Sequence, residues 1–82
     1  MNVPFKTTRY FQATRERADR QPIALEWIAR VVTQPEHEVQ QADGRIRRWG
    51  TVPEAGGRML RVVLLADAVT VHNAFFDRSF KP

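Results

Sequence analysis

The second half of the chain constrains the fold most, because its arginines stand inside segments whose pattern predicts β-strands. Residues 44–82 read GRIRRWGTVPEAGGRMLRVVLLADAVTVHNAFFDRSFKP, which indicates three strands joined by two short turns. Arg61 interrupts an apolar run, and Arg78 follows an aromatic pair. A strand arginine stands on one face of a sheet, where its planar fork can bind phosphate or carboxylate. An anionic partner is therefore the first functional expectation.

Length and composition indicate a single domain over residues 1–82. The chain has no cysteine, which excludes a disulfide framework and a thiolate metal site. Its first segment lacks the apolar core of a signal peptide, and no apolar run reaches the length of about 18 residues that suggests a membrane span. We therefore expect a cytoplasmic protein without a membrane partner. A domain this small is marginally stable alone, so a partner or a dimer fits, and the oligomeric state stays open.

The charge balance favours an acidic partner without identifying it. Thirteen Lys and Arg residues against nine Asp and Glu give a net charge of +4, and eleven of the cations are arginine. A basic surface attracts nucleic acid or an acidic protein. Small basic proteins are nevertheless common and many bind no nucleic acid, so both readings stay open on charge alone.

Two helices are predicted ahead of the strands. Residues 8–20 suit a first helix with a thin apolar stripe and a threonine cap. Residues 22–34 carry the strongest helical pattern, with Pro22 at the first helical position and Pro35 ending the helix. The apolar side chains of this second helix fall on one broad face: Ile23, Trp27, Ile28, Val31 and Val32.

The predicted strands give an α+β fold. Residues 1–9 fit a short edge strand or an ordered arm, because a proline within them prevents a central position. Residues 37–42 form a weak edge strand, and 45–52, 58–65 and 69–76 form the others, with the apolar third segment in the centre. We therefore predict two N-terminal helices packed on one face of a three- to four-stranded antiparallel β-meander. Three side chains of the central strand should face the helices: Leu60, Val62 and Leu64.

Strand alternation places Arg45, Arg47 and Trp49 on one face of the sheet, with Ile46 and Arg48 on the other. An aromatic ring among arginines can stack on a nucleobase while its neighbours hold phosphates. Trp49 can equally cover the sheet, with arginine stems packed across it. Both interpretations are compatible with the sequence.

His72 is the candidate for proton transfer. A two-residue turn after the central strand puts Arg61 opposite His72, whereas a three-residue turn puts Arg61 opposite Asn73 and His72 opposite Val62. In the first register arginine would stabilise developing charge, and histidine would move a proton during phosphodiester cleavage. The alternative is a half-buried His72 hydrogen-bonded within the sheet. With His37 as the other histidine and no phosphate-binding loop, we expect no metal and no cofactor.

Several short segments resemble a family of small uncharacterised bacterial proteins that is distantly similar to toxins of the RelE and BrnT type. The resemblance covers about residues 8–76 and rests on RERADR before Ile23, the helix end VVTQP, the run RRW, the central LRVV and the terminal VTV. RelE-type toxins are compact α+β ribonucleases with basic residues on the sheet, and a cognate antitoxin neutralises them. Related sequences often have a histidine in the first helix, where this chain has Gln12-Ala13-Thr14.

Two functional hypotheses follow. The resemblance implies a toxin-like protein that binds or cleaves RNA and meets an antitoxin-like partner. In that hypothesis the catalytic pair is His72 and Arg61, and the RNA-binding residues are Arg45, Arg47, Trp49 and Arg78. The alternative is a non-catalytic protein-interaction module or homodimer that uses Trp49 and the Phe75-Phe76 pair.

Overall fold

The computed structural model describes residues 3–18 and 20–80, which fold into two helices against one five-stranded sheet. The helices are α1 (Arg9–Arg15) and α2 (Leu25–Thr33), and the strands are β1 (Lys6–Thr7), β2 (His37–Gln40), β3 (Ile46–Val52), β4 (Arg58–Leu64) and β5 (Thr70–Phe76). The strand order is β1-β5-β4-β3-β2. The predicted α+β class is confirmed, and β2 to β5 form the predicted antiparallel meander.

The sheet differs from the prediction in its fifth strand. Strand β1 pairs in parallel with β5, with Lys6 opposite Thr70 and Thr7 opposite Val71, so the sheet is mixed. A parallel pair requires a long crossover, and here both helices and three strands lie between the two partners. The edge strand expected within residues 1–9 is thus only two residues long, and residues 1–2 of that segment lie outside the described part of the chain.

Both helices are shorter than predicted. Thr8 caps α1, since its hydroxyl oxygen accepts a hydrogen bond from the Phe11 amide at 3.1 Å. Helix α1 ends at Arg15 because its apolar stripe is thin, and only Phe11 and Thr14 of this helix are buried. The prediction of helix over 8–20 is therefore too long, and residue 19 lies outside the described residues. Within the described ranges, neither helix has the length and apolar character that a membrane crossing requires.

Helix α2 begins at Leu25 instead of Pro22, because the chain makes a separate turn just before it. The amide of Ile23 donates to the carbonyl oxygen of Arg20 at 3.0 Å, and this turn buries the Ile23 side chain almost completely. Ala24 is then left as an N-cap residue in extended backbone. The gain from burying Ile23 outweighs the extra helical turn that the sequence pattern predicts.

The hydrophobic core lies between α2 and one face of the sheet. Helix α2 packs on β3 and β4, and α1 packs against β5. Strand β4 is central, as predicted, and pairs with both β3 and β5. Burial of each large core side chain contributes about 1.5–3 kcal/mol. The buried side chains include the predicted Ile28, Val31, Val32, Leu60, Val62 and Leu64, and the predicted Trp27 is partly buried against them.

Candidate functional site

The face of the sheet opposite α2, called the open face here, carries an arginine between two aromatic residues. Trp49 of β3 lies opposite Arg61 of β4, and Arg61 lies opposite Phe75 of β5. Arg47 occupies the same face one row along, since residues two apart on a strand share a face. The predicted grouping of Arg47 with Trp49 is therefore what the sheet contains, and the register adds Arg61 to it.

A cleft of about 480 Å³ lies over this part of the open face, and we call it the arginine cleft. Strand β2 and the segment after β5 form its walls, while β3 and β4 form its floor. Its lining contains two guanidinium groups, from Arg47 and Arg61, and two carboxylates, from Asp77 and Glu38. The Glu38 carboxylate is paired with Arg48 at 2.6 Å. Its lining residues include Val39, Arg47, Trp49, Arg61, Asp77 and Phe80.

Arg61 is the least satisfied polar residue of the cleft. Its Nη1 lies 3.5 Å from Oδ2 of Asp77, and its guanidinium lies 5.7 Å from the Trp49 ring centre and 5.1 Å from that of Phe75. Its Nε is buried and has no hydrogen-bond partner among the described residues. Burial, and then the nearby charge of Arg47, lower the pKa of Arg61, and Asp77 opposes this only in part. An unpartnered buried donor is costly, so Arg61 is held in the sheet at a cost in stability.

Trp49 is buried, with an exposed fraction of 6%. The Phe80 ring covers it at a centroid distance of 5.0 Å, and its Nε1 donates to Oδ2 of Asp77 at 3.0 Å. This arrangement matches the interpretation of Trp49 as a cover for the sheet, because no broad ring face is left for a nucleobase.

Asp77 joins the tryptophan, the arginine and the segment after β5, and sequence reasoning missed it. Its Oδ1 accepts hydrogen bonds from the Ser79 amide and hydroxyl. Burial raises the pKa of Asp77, but the hydrogen bonds from Trp49 and Ser79 and the charge of Arg61 outweigh it and hold the pKa below its ordinary value. The run Asp-Arg-Ser after an aromatic pair signals a turn. Nothing local in that run indicates that the carboxylate folds back onto Trp49.

The other predicted binding residues are dispersed. Arg47 lines the arginine cleft, and its Nε donates to Oε1 of Gln41 at 3.0 Å. Arg45 is exposed beside Asp43, with 3.8 Å between Nε and Oδ2. Arg78 is exposed and lines a different cavity at the end of β5. Neither Arg45 nor Arg78 belongs to the lining of the arginine cleft.

The register expected for His72 is wrong. Asp67 accepts hydrogen bonds from the amides of Val69 and Thr70 and from the Thr70 hydroxyl, and the strands close where the Leu65 amide donates to the Thr70 carbonyl oxygen at 2.9 Å. The connection thus has four residues instead of two or three. Arg61 therefore lies opposite Phe75 and faces neither His72 nor Asn73.

A β-bulge then removes His72 from the regular ladder. Val63 lies opposite Asn73 and Leu64 opposite Val71, so His72 is the extra residue of β5. Its Nδ1 lies 3.1 Å from the Thr8 hydroxyl oxygen, and its ring stacks on that of Tyr10 at 4.6 Å. Burial, and then the charge of Arg45, lower the pKa of His72. The geometry matches the half-buried, hydrogen-bonded alternative, with a partner next to β1.

Within residues 3–18 and 20–80, no three His, Asp or Glu side chains come together in a way that could hold a metal ion. The chain matches no protein-family model, no curated protein and no solved structure. The chemistry of the open face therefore carries the functional argument.

Proposed function

We propose that this chain is an RNA-binding domain of the toxin-like type, and that it holds backbone phosphates in the arginine cleft. One observation carries the proposal. Arg47 and Arg61 line the same cleft on the open face, and the carboxylate nearest to the Arg61 guanidinium is that of Asp77, at 3.5 Å. A phosphate oxygen is the acceptor that this pair of guanidinium groups favours.

The electrostatics of the cleft support an anionic ligand. Arg47 and Arg61 repel each other, which contributes to the lowered pKa of Arg61. Asp77 balances this poorly, because its carboxylate also accepts hydrogen bonds from Trp49 and Ser79. A phosphate between the two guanidinium groups would relieve the repulsion and accept charge-assisted hydrogen bonds.

The size and position of the cleft fit a single nucleotide unit of an extended strand. Its volume of about 480 Å³ lies within the range of about 300–1,000 Å³ that small-ligand sites occupy. Because Trp49 is covered by Phe80, recognition would rest on phosphates more than on stacked bases. Phosphate contacts carry no sequence information directly, so we expect binding with little sequence preference.

RNA cleavage is not part of the proposal. Arg61 lies opposite Phe75, and His72 is bound to Thr8 and stacked on Tyr10. The cooperation of Arg61 with His72 on which the catalytic hypothesis depended therefore has no geometric support.

One observation favours a protein-interaction function, and it concerns strand β2. It does not concern Trp49, which is buried, or Phe76, which packs against the core. Strand β2 ends the sheet and pairs only with β3 among the described strands. Val39 on this strand is 52% exposed. A free strand edge is a template for another chain. Sedimentation at increasing protein concentration tests this second candidate, and a Val39→Lys variant should stay monomeric where the parent chain self-associates.

The RNA proposal is tested by fluorescence anisotropy with a short labelled polyuridine. Affinity should fall as salt rises from about 50 to about 200 mM, because bound phosphates release counterions. Arg47→Gln should lower the slope of log affinity against log salt by about 0.7, which corresponds to one single-strand phosphate contact. Arg61→Gln should do the same, and its thermal unfolding must be checked because Arg61 is largely buried.

Arg30→Gln is the matched control. The Arg30→Gln substitution removes the same charge from helix α2, which covers the other side of the sheet. In the parent chain Arg30 is paired with the exposed Glu54. The control should leave the slope nearly unchanged. Equal effects from Arg30→Gln and Arg47→Gln, or no binding at the lowest salt, would overturn the assignment of the arginine cleft.

A further inference from the structure

A second cavity, of about 280 Å³, lies at the end of the sheet where β4 begins and β5 ends. We call it the end cavity. Three arginines from distant parts of the chain line it: Arg20 from the α1–α2 connection, Arg58 from β4 and Arg78 from the segment after β5. The other lining residues are Phe75 and Phe76. Three guanidinium groups thus converge on one small cavity, and none of its five lining residues is acidic.

Two of these guanidinium groups are held in place before any ligand arrives. Arg20 donates from Nη1 to Oδ1 of Asn73 at 2.6 Å and lies 5.2 Å from the centre of the Phe75 ring. Arg58 donates from Nε to the Ala55 carbonyl oxygen at 3.1 Å and lies 4.0 Å from the centre of the Phe76 ring. Side chains that are already ordered lose less conformational entropy on binding. Stacking on Phe76 also holds the Arg58 guanidinium as a planar fork that can bind a doubly charged anion.

The third arginine completes the cavity from a fixed backbone. Asp77 accepts a hydrogen bond from the Ser79 amide at 3.0 Å, which forms a turn around Arg78. The Asp77 amide also donates to the Met59 carbonyl oxygen at 2.8 Å. Arg78 is exposed, so its side chain is free to close over a bound anion.

The end cavity is separate from the arginine cleft but adjacent to it. Phe75 lies between them, since its ring contacts Arg61 of the cleft at 5.1 Å and Arg20 of the end cavity at 5.2 Å. A ligand held at both sites would thus cross one phenylalanine ring. No residue lines both cavities.

From this convergence we propose that the end cavity binds a terminal phosphate group, a compact anion of two or more charges. The same chemistry is found in a free polyphosphate and in the 5′-phosphate of an RNA strand. The second source would deepen the proposed RNA binding, because the strand end would lie beside the arginine cleft. The free-polyphosphate source is independent of that proposal.

The test is a titration of the full chain with inorganic pyrophosphate, followed by NMR of the arginine Nε–H groups. Arg58→Gln and Arg78→Gln should each weaken pyrophosphate binding about tenfold or more, as expected for loss of a hydrogen bond to a charged group. Arg30→Gln should change it less than about threefold, since it removes the same charge from the opposite side of the sheet. Arg58→Lys separates a built site from a general positive field, because it keeps the charge and loses the planar fork.

The outcomes distinguish this proposal from the RNA proposal. Pyrophosphate binding that is absent, or equally sensitive to Arg30→Gln and Arg58→Gln, or fully retained in Arg58→Lys, would overturn the end cavity whatever RNA does. Tighter binding of 5′-phosphorylated than of 5′-hydroxyl polyuridine, lost in Arg58→Gln, identifies the RNA end as the source. Equal binding of the two RNAs with pyrophosphate binding retained identifies free polyphosphate. Loss of all RNA binding with the pyrophosphate result intact removes only the arginine cleft.

Discussion

Gly50 of β3 is the position where one added methyl group should disturb the fold most directly. It lies opposite Leu60 on the sheet face that α2 covers. A Cβ atom there would be 2.9 Å from Cγ2 of Val31, and Val31 is buried, with 2% exposure. The Val31 side chain is β-branched and has one strongly preferred rotamer in a helix. It therefore cannot turn aside, and α2 must shift instead.

The cost of Gly50→Ala follows from two opposing terms. Overpacking of a well-packed core costs about 1–3 kcal/mol, whereas replacing glycine by alanine within a strand returns about 0.5–1 kcal/mol of backbone entropy. The difference is a loss of about 0–2.5 kcal/mol in the free energy of unfolding. Because the added Cβ would lie only 2.9 Å from Val31 Cγ2, we expect a loss of about 1–2 kcal/mol within that range. For a domain of this size the melting temperature should fall by about 4–8 °C per kcal/mol.

Urea unfolding of four proteins measures this coupling: the parent, Gly50→Ala, Val31→Ala and the double variant. Val31→Ala removes the methyl group that the new Cβ would meet, so the added methyl group should partly fill the space left behind. The double variant should be more stable than additivity predicts by about 1–2 kcal/mol. Additive losses, or a Gly50→Ala variant as stable as the parent, would refute the steric reasoning.

Two further predictions concern titrating groups. The hydrogen bond from the Thr70 hydroxyl and those from two amides lower the pKa of Asp67. The contribution of Asp67 to stability is therefore present above the unfolded pKa of about 3.9 and is lost as pH falls through the folded pKa. Asp67→Asn should flatten the decline of unfolding free energy below about pH 4, and acid titrations with identical slopes for the two proteins would contradict this. Burial, and then the charge of Arg45, lower the pKa of His72. Arg45→Gln should therefore raise the pKa of His72 in an NMR titration of the imidazole protons. An unchanged or lower pKa would count against the charge effect.

The elements that local periodicity specifies were predictable from the sequence. The apolar run of β4 predicted which of its side chains face α2, and the alternation along β3 predicted which of its residues share a face, because a strand has a period of two. The apolar face of α2 was equally predictable from its helical spacing, although the helix begins at Leu25 instead of Pro22. The predicted first turn does not form, because the chain buries Ile23 there instead. This is a tertiary effect that helical spacing cannot predict.

The long-range parts of the site were not predictable in this way. The register of β5 depends on three hydrogen bonds to Asp67 and on a bulge at His72, and neither has a pattern that distinguishes it from a shorter turn. The role of Asp77 depends on its contact with Trp49, 28 residues away in the chain. A single charged residue in a turn gives no local signal of such a partner.

The parallel pairing of β1 with β5 also has a consequence for the order in which the chain folds. Thr8 and His72 are 64 residues apart, whereas the β3–β4 and β4–β5 hairpins close over short loops. Closing a long loop costs more chain entropy than closing a short one, and such contacts form late. We therefore expect the hairpins to assemble first and β1 to dock last. The amide hydrogens of Lys6 and Thr8 are bonded to the carbonyl oxygens of Val69 and Val71. We expect them to exchange through a local opening that leaves β4 protected. Because Thr8 also caps α1, that same opening releases the start of the first helix.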